Sequence, residues 1–243
     1  MLSKNQQKLI RALGQKKQRK LQGKFLVQGE KNVLELLDSN MECEQLFVTE
    51  TFLDTNRAQL QNLKVTVTDE DSLSKVSTLS SNNAAIAVVK TPAQGAVDTN
   101  GLIIALDGVS DPGNLGTIIR LADWYGIKTI VCSEDCADVY NPKTISATMG
   151  SFTRINVVTT DLVEYLEKTT KPVYGAFLDG KSVHKTELNQ EAVLLMGSES
   201  HGIRSNVEPL VTDKITIPSF GQAESLNVAM ATGIILDNIK RIA

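Results

Sequence analysis

A chain of 243 residues with 42% hydrophobic and 22% charged side chains is long enough for one large domain or two ordinary ones, each with a real core. No run approaches the roughly 18 consecutive apolar residues of a membrane helix. The N-terminus also lacks the apolar stretch of a secretory signal, so a cytoplasmic location without membrane contact is expected. The net charge of −3 hides an asymmetry. Residues 1–31 hold nine Lys or Arg and one acid, Glu30, a local charge of +8; the other 212 residues, with 16 bases and 27 acids, carry −11. A basic run of this kind is either a solvated helix face or a phosphate-binding surface. Cys43, Cys132 and Cys136 are odd in number and show no paired CxxC spacing, so neither a disulfide framework nor a zinc site is expected.

In chain order, residues 3–20 predict an amphipathic helix with Leu9, Ile10 and Leu13 on one side and bases on the other. "KFLVQG" predicts a strand, "EKNVLELLDS" a helix, "EQLFVTE" a strand and residues 51–61 a helix. "LKVTVT", "DEDSLSKVS" and "AAIAVVK" then predict strand, short helix and strand. This alternation predicts a smaller α/β domain over 1–92, followed by "TPAQGAVDTNG" (91–101), a linker rich in turn residues. The rhythm restarts over 101–243. Strands are expected at 102–106, 128–132, 154–158, 172–177, 192–196 and 214–218, and helices to about 125, near 142–149, at 161–168 and from about 225. Continuous apolar strands separated by helices predict a parallel sheet covered on both faces.

Three strand exits in this second half share a composition: "LDGVSDPGNLGTIIR" (106–120), "LLMGSESHGI" (194–203) and "ITIPSFGQAESLN" (215–227). Ligands of open parallel sheets bind beyond the carboxyl ends of the strands, so three such loops point at one shared site. In the first, Leu115, Ile118, Ile119 and Ala122 have the spacing of a core stripe. Arg120 stacks instead over Gly113, Gly116 and Thr117, at a helix start that suits a phosphate or an oxyanion. The plain alternative is a surface ion pair with Asp123 or Glu164. "DGVSDPGNLG" lacks the GxGxxG spacing of a dinucleotide site. "SESHG" imitates a nucleophile elbow, but the only histidines, His184 and His201, do not follow it as that fold requires.

"DPGNLGTIIR", "MGSESHGI" and "IPSFGQAESLNVAMATGI", in this order and spacing, resemble the three motifs of the SpoU (TrmH-like) family of RNA ribose methyltransferases. The resemblance covers about 102–241; "KFLVQGEKNVLELL" is similar, more loosely, to the ribosomal-protein-like substrate-binding domain that many members carry in front. The resemblance implies a deep trefoil knot in the C-terminal domain and methyl transfer from S-adenosylmethionine, without metal, to a ribose 2′-hydroxyl of structured RNA. The RNA is expected to be 23S ribosomal RNA. By the same resemblance Asn114, Arg120, Glu199, Ser225 and Asn227 fall on catalytic positions. Gly197, Glu199, Gly202, Ile217, Ser225 and Leu226 fall on cofactor positions, and the apolar last helix is half of a homodimer interface. The rival readings are the same chemistry on tRNA and an RNA-binding dimer without catalysis.

Overall fold

In the computed structural model, which describes residues 2–61, 63–79 and 81–241, the chain divides into two compact units. The outer limits of the two expected domains, Met1 and Ile242–Ala243, lie outside the described residues. The first unit opens with α1 (Lys4–Leu13) and α2 (Lys16–Gln22). Here the expected single helix is broken: Gln15 is extended (φ −98°, ψ 131°) and starts α2 afresh. Ile10 and Leu13 are buried as the wheel predicts. There follow β1 (Lys24–Gln28), α3 (Glu30–Leu37), β2 (Cys43–Val48), α4 (Glu50–Thr55), α5 (Arg57–Leu60), β3 (Val65–Val67), α6 (Glu70–Ser74) and β4 (Ala85–Lys90). The strands form one mixed sheet in the order β1-β4-β2-β3, with only β2 and β3 parallel.

The second unit begins at Gln94. The expected linker is tied down along its length: Asn156 Nδ2 donates to Ala96 O at 2.7 Å, and Val97 packs into the second core. Then come β5 (Ile103–Asp107), α7 (Pro112–Trp124) and β6 (Thr129–Cys132). Next along the chain is α8 (Pro142–Thr148), and here the structure departs from the sequence reading. Residues 138–153 belong by contact to the first unit, where α8 packs on β1. Ile145 and Phe152 enter the core built around Phe25, whose ring stands edge-on to Phe152 with centroids 6.3 Å apart. Gly150 (φ +99°) lies so close to α3 that a Cβ there would meet Glu35 Cγ at 2.3 Å.

After that excursion β7 (Asn156–Thr159), α9 (Leu162–Lys168), β8 (Val173–Ser182), β9 (Val193–Gly197), β10 (Asp213–Thr216) and α10 (Val228–Arg241) complete the second unit. All five strand pairings are parallel, in the order β10-β8-β9-β5-β6-β7. The strands β5, β6 and β9 are almost wholly buried. Their carboxyl ends therefore lie along one edge, which is where the three polar loops emerge.

The basic opening segment is only partly a solvated face. Arg19 is buried, paired with Asp138 at 2.5 Å and donating to Leu13 O and Gly14 O. Lys24 pairs with Glu44 and Lys31 with Glu35. Lys4, Lys8, Arg11, Lys16, Lys17 and Lys20 remain exposed.

Candidate functional site

Asp111 caps α7, its Oδ1 accepting from the Asn114 N–H at 2.9 Å, and Pro112 fills the first turn, where no amide donor is needed. The helix buries Leu115, Ile118, Ile119 and Ala122. That fixes its rotation and turns Arg120 out to solvent. Among the described residues the Arg120 side chain has no hydrogen bond or ion pair. The two carboxylates of the alternative ion pair are engaged elsewhere, Asp123 with Arg154 at 2.8 Å and Glu164 with Lys168. Gly116, one turn before it, is buried.

At the start of α10, Asn227 Oδ1 accepts from Ala229 N and Met230 N, so that side chain caps the helix. The helix consequently begins at Val228, three residues later than the apolar pattern suggests. The other end of the same amide is used differently. Asn227 Nδ2 donates to Asn114 Oδ1 at 2.9 Å, and Asn114 Nδ2 donates to Glu199 Oε1 at 2.5 Å. Asn114 thus bridges two loops that lie 85 and 113 residues further along the chain. Capping alone requires no such bridge. Three of the five expected catalytic residues are brought into one hydrogen-bonded chain. Arg120 shares the helix of Asn114 without bonding to the trio, and Ser225 is exposed in the loop before Asn227.

Glu199 sits in a tight turn after β9. Ser198 N donates to Gly202 O at 3.1 Å and Gly202 N to Ser198 O at 3.0 Å. Gly202 takes φ +65°, a conformation natural to glycine, and Gly197 lies against the Gly202 backbone with no room for a side chain. His201 is exposed, its Nδ1 2.7 Å from Ser200 Oγ, which agrees with a loop contact. The third loop runs from the half-buried Ile217 and Pro218 to an exposed stretch, 219–227. Among the described residues no backbone–backbone hydrogen bond engages 218–226. Its main-chain donors and acceptors, with the apolar Ile217 and Leu226, are the kind of neutral lining that holds a nucleoside by edge contacts and burial. The residues present therefore fit S-adenosylmethionine. No cluster of His, Cys, Asp or Glu among the described residues is arranged to hold a metal ion.

The structure adds residues that sequence reasoning missed. Asp107, the last residue of β5, is fully buried and paired with Arg204, just beyond the Ser198–Gly202 turn. A carboxylate ending an otherwise apolar strand was the available signal. The loop after β6 contributes Ser133 and Asp135: the Ser133 hydroxyl donates to Asp135 Oδ1 at 2.6 Å, and that bond holds the Asp135 carboxyl below its usual range. Cys136, buried beside them, has its thiol lowered to about 7, chiefly by a hydrogen bond with Cys132, whose own thiol is raised. All three cysteines are free.

With this geometry in place, comparison with known proteins is specific. Residues 101–237 match the model of the SpoU rRNA Methylase family, and residues 4–87 match the MRM3-like substrate binding domain. The chain is 31% identical over 230 residues to the 23S rRNA (guanosine(2553)-2′-O)-methyltransferase RlmP of Bacillus subtilis, covering 93% of this chain and 92% of that one. It is 33% identical to the 23S rRNA (guanosine-2′-O-)-methyltransferase RlmB of Pseudomonas aeruginosa over 58% of each chain. Among solved structures, a TrmH-family protein of Porphyromonas gingivalis superposes with TM-score 0.88 at 37% identity, all of both chains being covered. The SpoU methyltransferase AviRb of Streptomyces viridochromogenes, in complex with the cofactor AdoMet, superposes with TM-score 0.86 at 25% identity over 99% of this chain and 98% of that one. Motifs, sheet and front domain agree, and the chain belongs to the SpoU rRNA methylase family.

Proposed function

We propose that this chain methylates 23S ribosomal RNA. The protein is an S-adenosylmethionine-dependent RNA 2′-O-methyltransferase, and ribosomal RNA as its substrate is supported by the relative from Bacillus subtilis, which matches through the front domain as well as the catalytic one. The observation that carries the reading is the Glu199–Asn114–Asn227 chain, which joins all three motif loops at the carboxyl edge of the sheet.

S-adenosylmethionine supplies an activated methyl group, so the work left to the protein is alignment and charge stabilisation. A guanidinium stays protonated at neutral pH and does not serve as a proton acceptor. We assign Arg120 instead as the donor to the alkoxide that develops as the 2′-hydroxyl gives up its proton to solvent. Asn114, Ser225 and Asn227 orient the ribose, and Glu199 fixes the Asn114 amide. Gly197, Gly202, Ile217, Ser225 and Leu226 receive the cofactor through their main chain. The knotted C-terminal domain implied by the motifs is part of the same reading. It is supported by a sheet in which β9 lies between β8 and β5.

Mapping 2′-O-methylation in total RNA with and without the gene should show one 23S position losing its mark. A lost mark in tRNA with an unchanged 23S pattern would replace the substrate, and no change anywhere would favour a non-catalytic RNA-binding dimer.

The homodimer belongs to this reading too. The last helix buries Val228, Ala229, Thr232, Ile235, Leu236 and Ile239 within its own unit, so it is less bare than its composition suggests. What α7 and α10 leave exposed is Trp124 (84%), Met230 (62%) and, just ahead, Leu226 (51%), an apolar group that a second copy would cover. Sedimentation equilibrium should give a dimer; a stable monomer at micromolar concentration would remove that assignment. No helix among the described residues is long and apolar enough to cross a membrane, which accords with the cytoplasmic location we propose.

A further inference from the structure

The strand exits of β5, β9 and β10 carry the motifs, and a fourth, that of β6, is bound to two of them, with one side chain, Arg204, reaching both the β5 and β6 exits. Arg204 lies two residues past Gly202. Its backbone N–H donates to Asp107 Oδ2 at 2.8 Å, its Nε to Asp107 Oδ1 at 2.6 Å, and its Nη2 pairs with the same carboxylate. Asp107 is wholly buried and stands in register with Gly197, the residue from which the Glu199 turn springs. The remaining arm, Nη1, reaches Asp135 Oδ2 at 3.3 Å on the β6 exit. Ser133 secures that exit in turn: its hydroxyl donates to Asp135 and accepts from Gly108 N at 2.9 Å. A Cβ on Gly108 would sit 3.3 Å from Asp135 Oδ2 and 3.7 Å from Ser198 Cβ, so the β5 exit, the β6 exit and the turn are in mutual contact.

We infer that Arg204 is a positioning residue for S-adenosylmethionine, tying the exits of β5, β6 and β9 together so that the Ser198–Gly202 turn keeps the shape that receives the cofactor. The inference rests on the functional reading above. A planar guanidinium with several fixed donors suits this task, because it fixes direction as well as distance. If adhesion alone were needed, a buried ion pair would be a poor device, since apolar residues of similar volume hold a core as well or better. This pair sits at the edge where the ligand binds, half open to solvent on the arginine side.

The test uses the full-length enzyme, S-adenosylmethionine and an unmodified 23S rRNA transcript. Arg204→Ala should raise the cofactor Kd and KM roughly tenfold or more, the scale of losing a charge-assisted hydrogen bond, while the RNA Kd stays within about twofold. Arg204→Lys should fall between Ala and wild type, since the charge on Asp107 is still met but the fork is lost. Asp135→Asn should show the same cofactor-selective loss in weaker form. Should Arg204→Ala not fold, because it strands a buried carboxylate, Arg204→Lys and Asp135→Asn decide by the same split. Wild-type cofactor affinity in the folded variants, or cofactor and RNA affinity falling together, would overturn the positioning role. No cofactor heat in the wild-type protein would overturn the functional reading and this inference with it; cofactor heat in the wild type and undiminished in Arg204→Ala would overturn the inference alone.

Discussion

Replacing Arg120 by Ala is expected to lower methyl transfer by roughly a hundredfold or more, the scale of removing one oxyanion donor. The protein should remain folded. Arg120 is exposed and unpaired among the described residues, so truncation strips away no partner, and an exposed change of this kind shifts stability by about 0.5 kcal/mol or less. Cofactor affinity should also persist, because the proposed cofactor contacts lie in the loops after β9 and β10. Arg120→Lys is expected to recover only part of the rate, since it keeps the charge but not the planar fork. Single-turnover assays at saturating cofactor on the mapped RNA measure this directly. A wild-type rate in Arg120→Ala, or a protein that unfolds, would make Arg120 idle or structural.

Gly197→Ala is expected to do the reverse, weakening cofactor binding sharply while sparing RNA. A Cβ at 197 would fall 2.1 Å from the carbonyl carbon of Gly202, 2.3 Å from Ile203 N and 2.4 Å from Gly202 O. These are backbone atoms on the far side of a closed turn, so no rotamer change relieves the clash. The turn must open, and Glu199 moves with it. Overpacking of this kind costs about 1–3 kcal/mol of stability. A displacement of about 1 Å at such a site is enough for a loss on the order of a hundredfold. Gly202→Ala should be milder: nothing lies within 4 Å of an added Cβ, and only the positive φ opposes it. Calorimetry for the cofactor and filter binding for the RNA separate the two effects. Undiminished cofactor affinity in Gly197→Ala would take this glycine out of the site.

Much of this was legible in the sequence, for a definite reason. Periodicity reports local geometry: the 3.6-residue stripe Leu115, Ile118, Ile119, Ala122 fixed the face of α7 and hence the outward direction of Arg120. The polar residues at strand ends marked a common edge because parallel strands place all their exits on one side. What periodicity does not report is which distant residue a side chain meets. "NPKTISAT" reads correctly as a helix, but nothing local says that Ile145 and Phe152 join the core around Phe25 rather than the nearer one. Arg204 reads as one more loop charge until Asp107, 97 residues earlier, is seen beneath it. The overrun of β8 through "LDGKS", a typical turn sequence, follows from pairing with β10 past an irregularity at Lys214/Ile215, another long-range effect. The break at Gln15 was hidden because Gly14 itself keeps a right-handed helical conformation.

The loan of residues 138–153 to the front unit has a consequence for biosynthesis. As the chain leaves the ribosome, the first ninety residues emerge with their sheet strands complete but with a gap where Ile145 and Phe152 belong. That gap closes only after β5, α7 and β6 have been made, across the segment from Gln94 to Ala137, a loop whose closure costs entropy. The nascent front unit therefore waits, its Phe25 surface uncovered, while the catalytic unit begins to form. Order of synthesis thus sets order of completion: the front unit reaches its final core only once the middle of the polypeptide has been made.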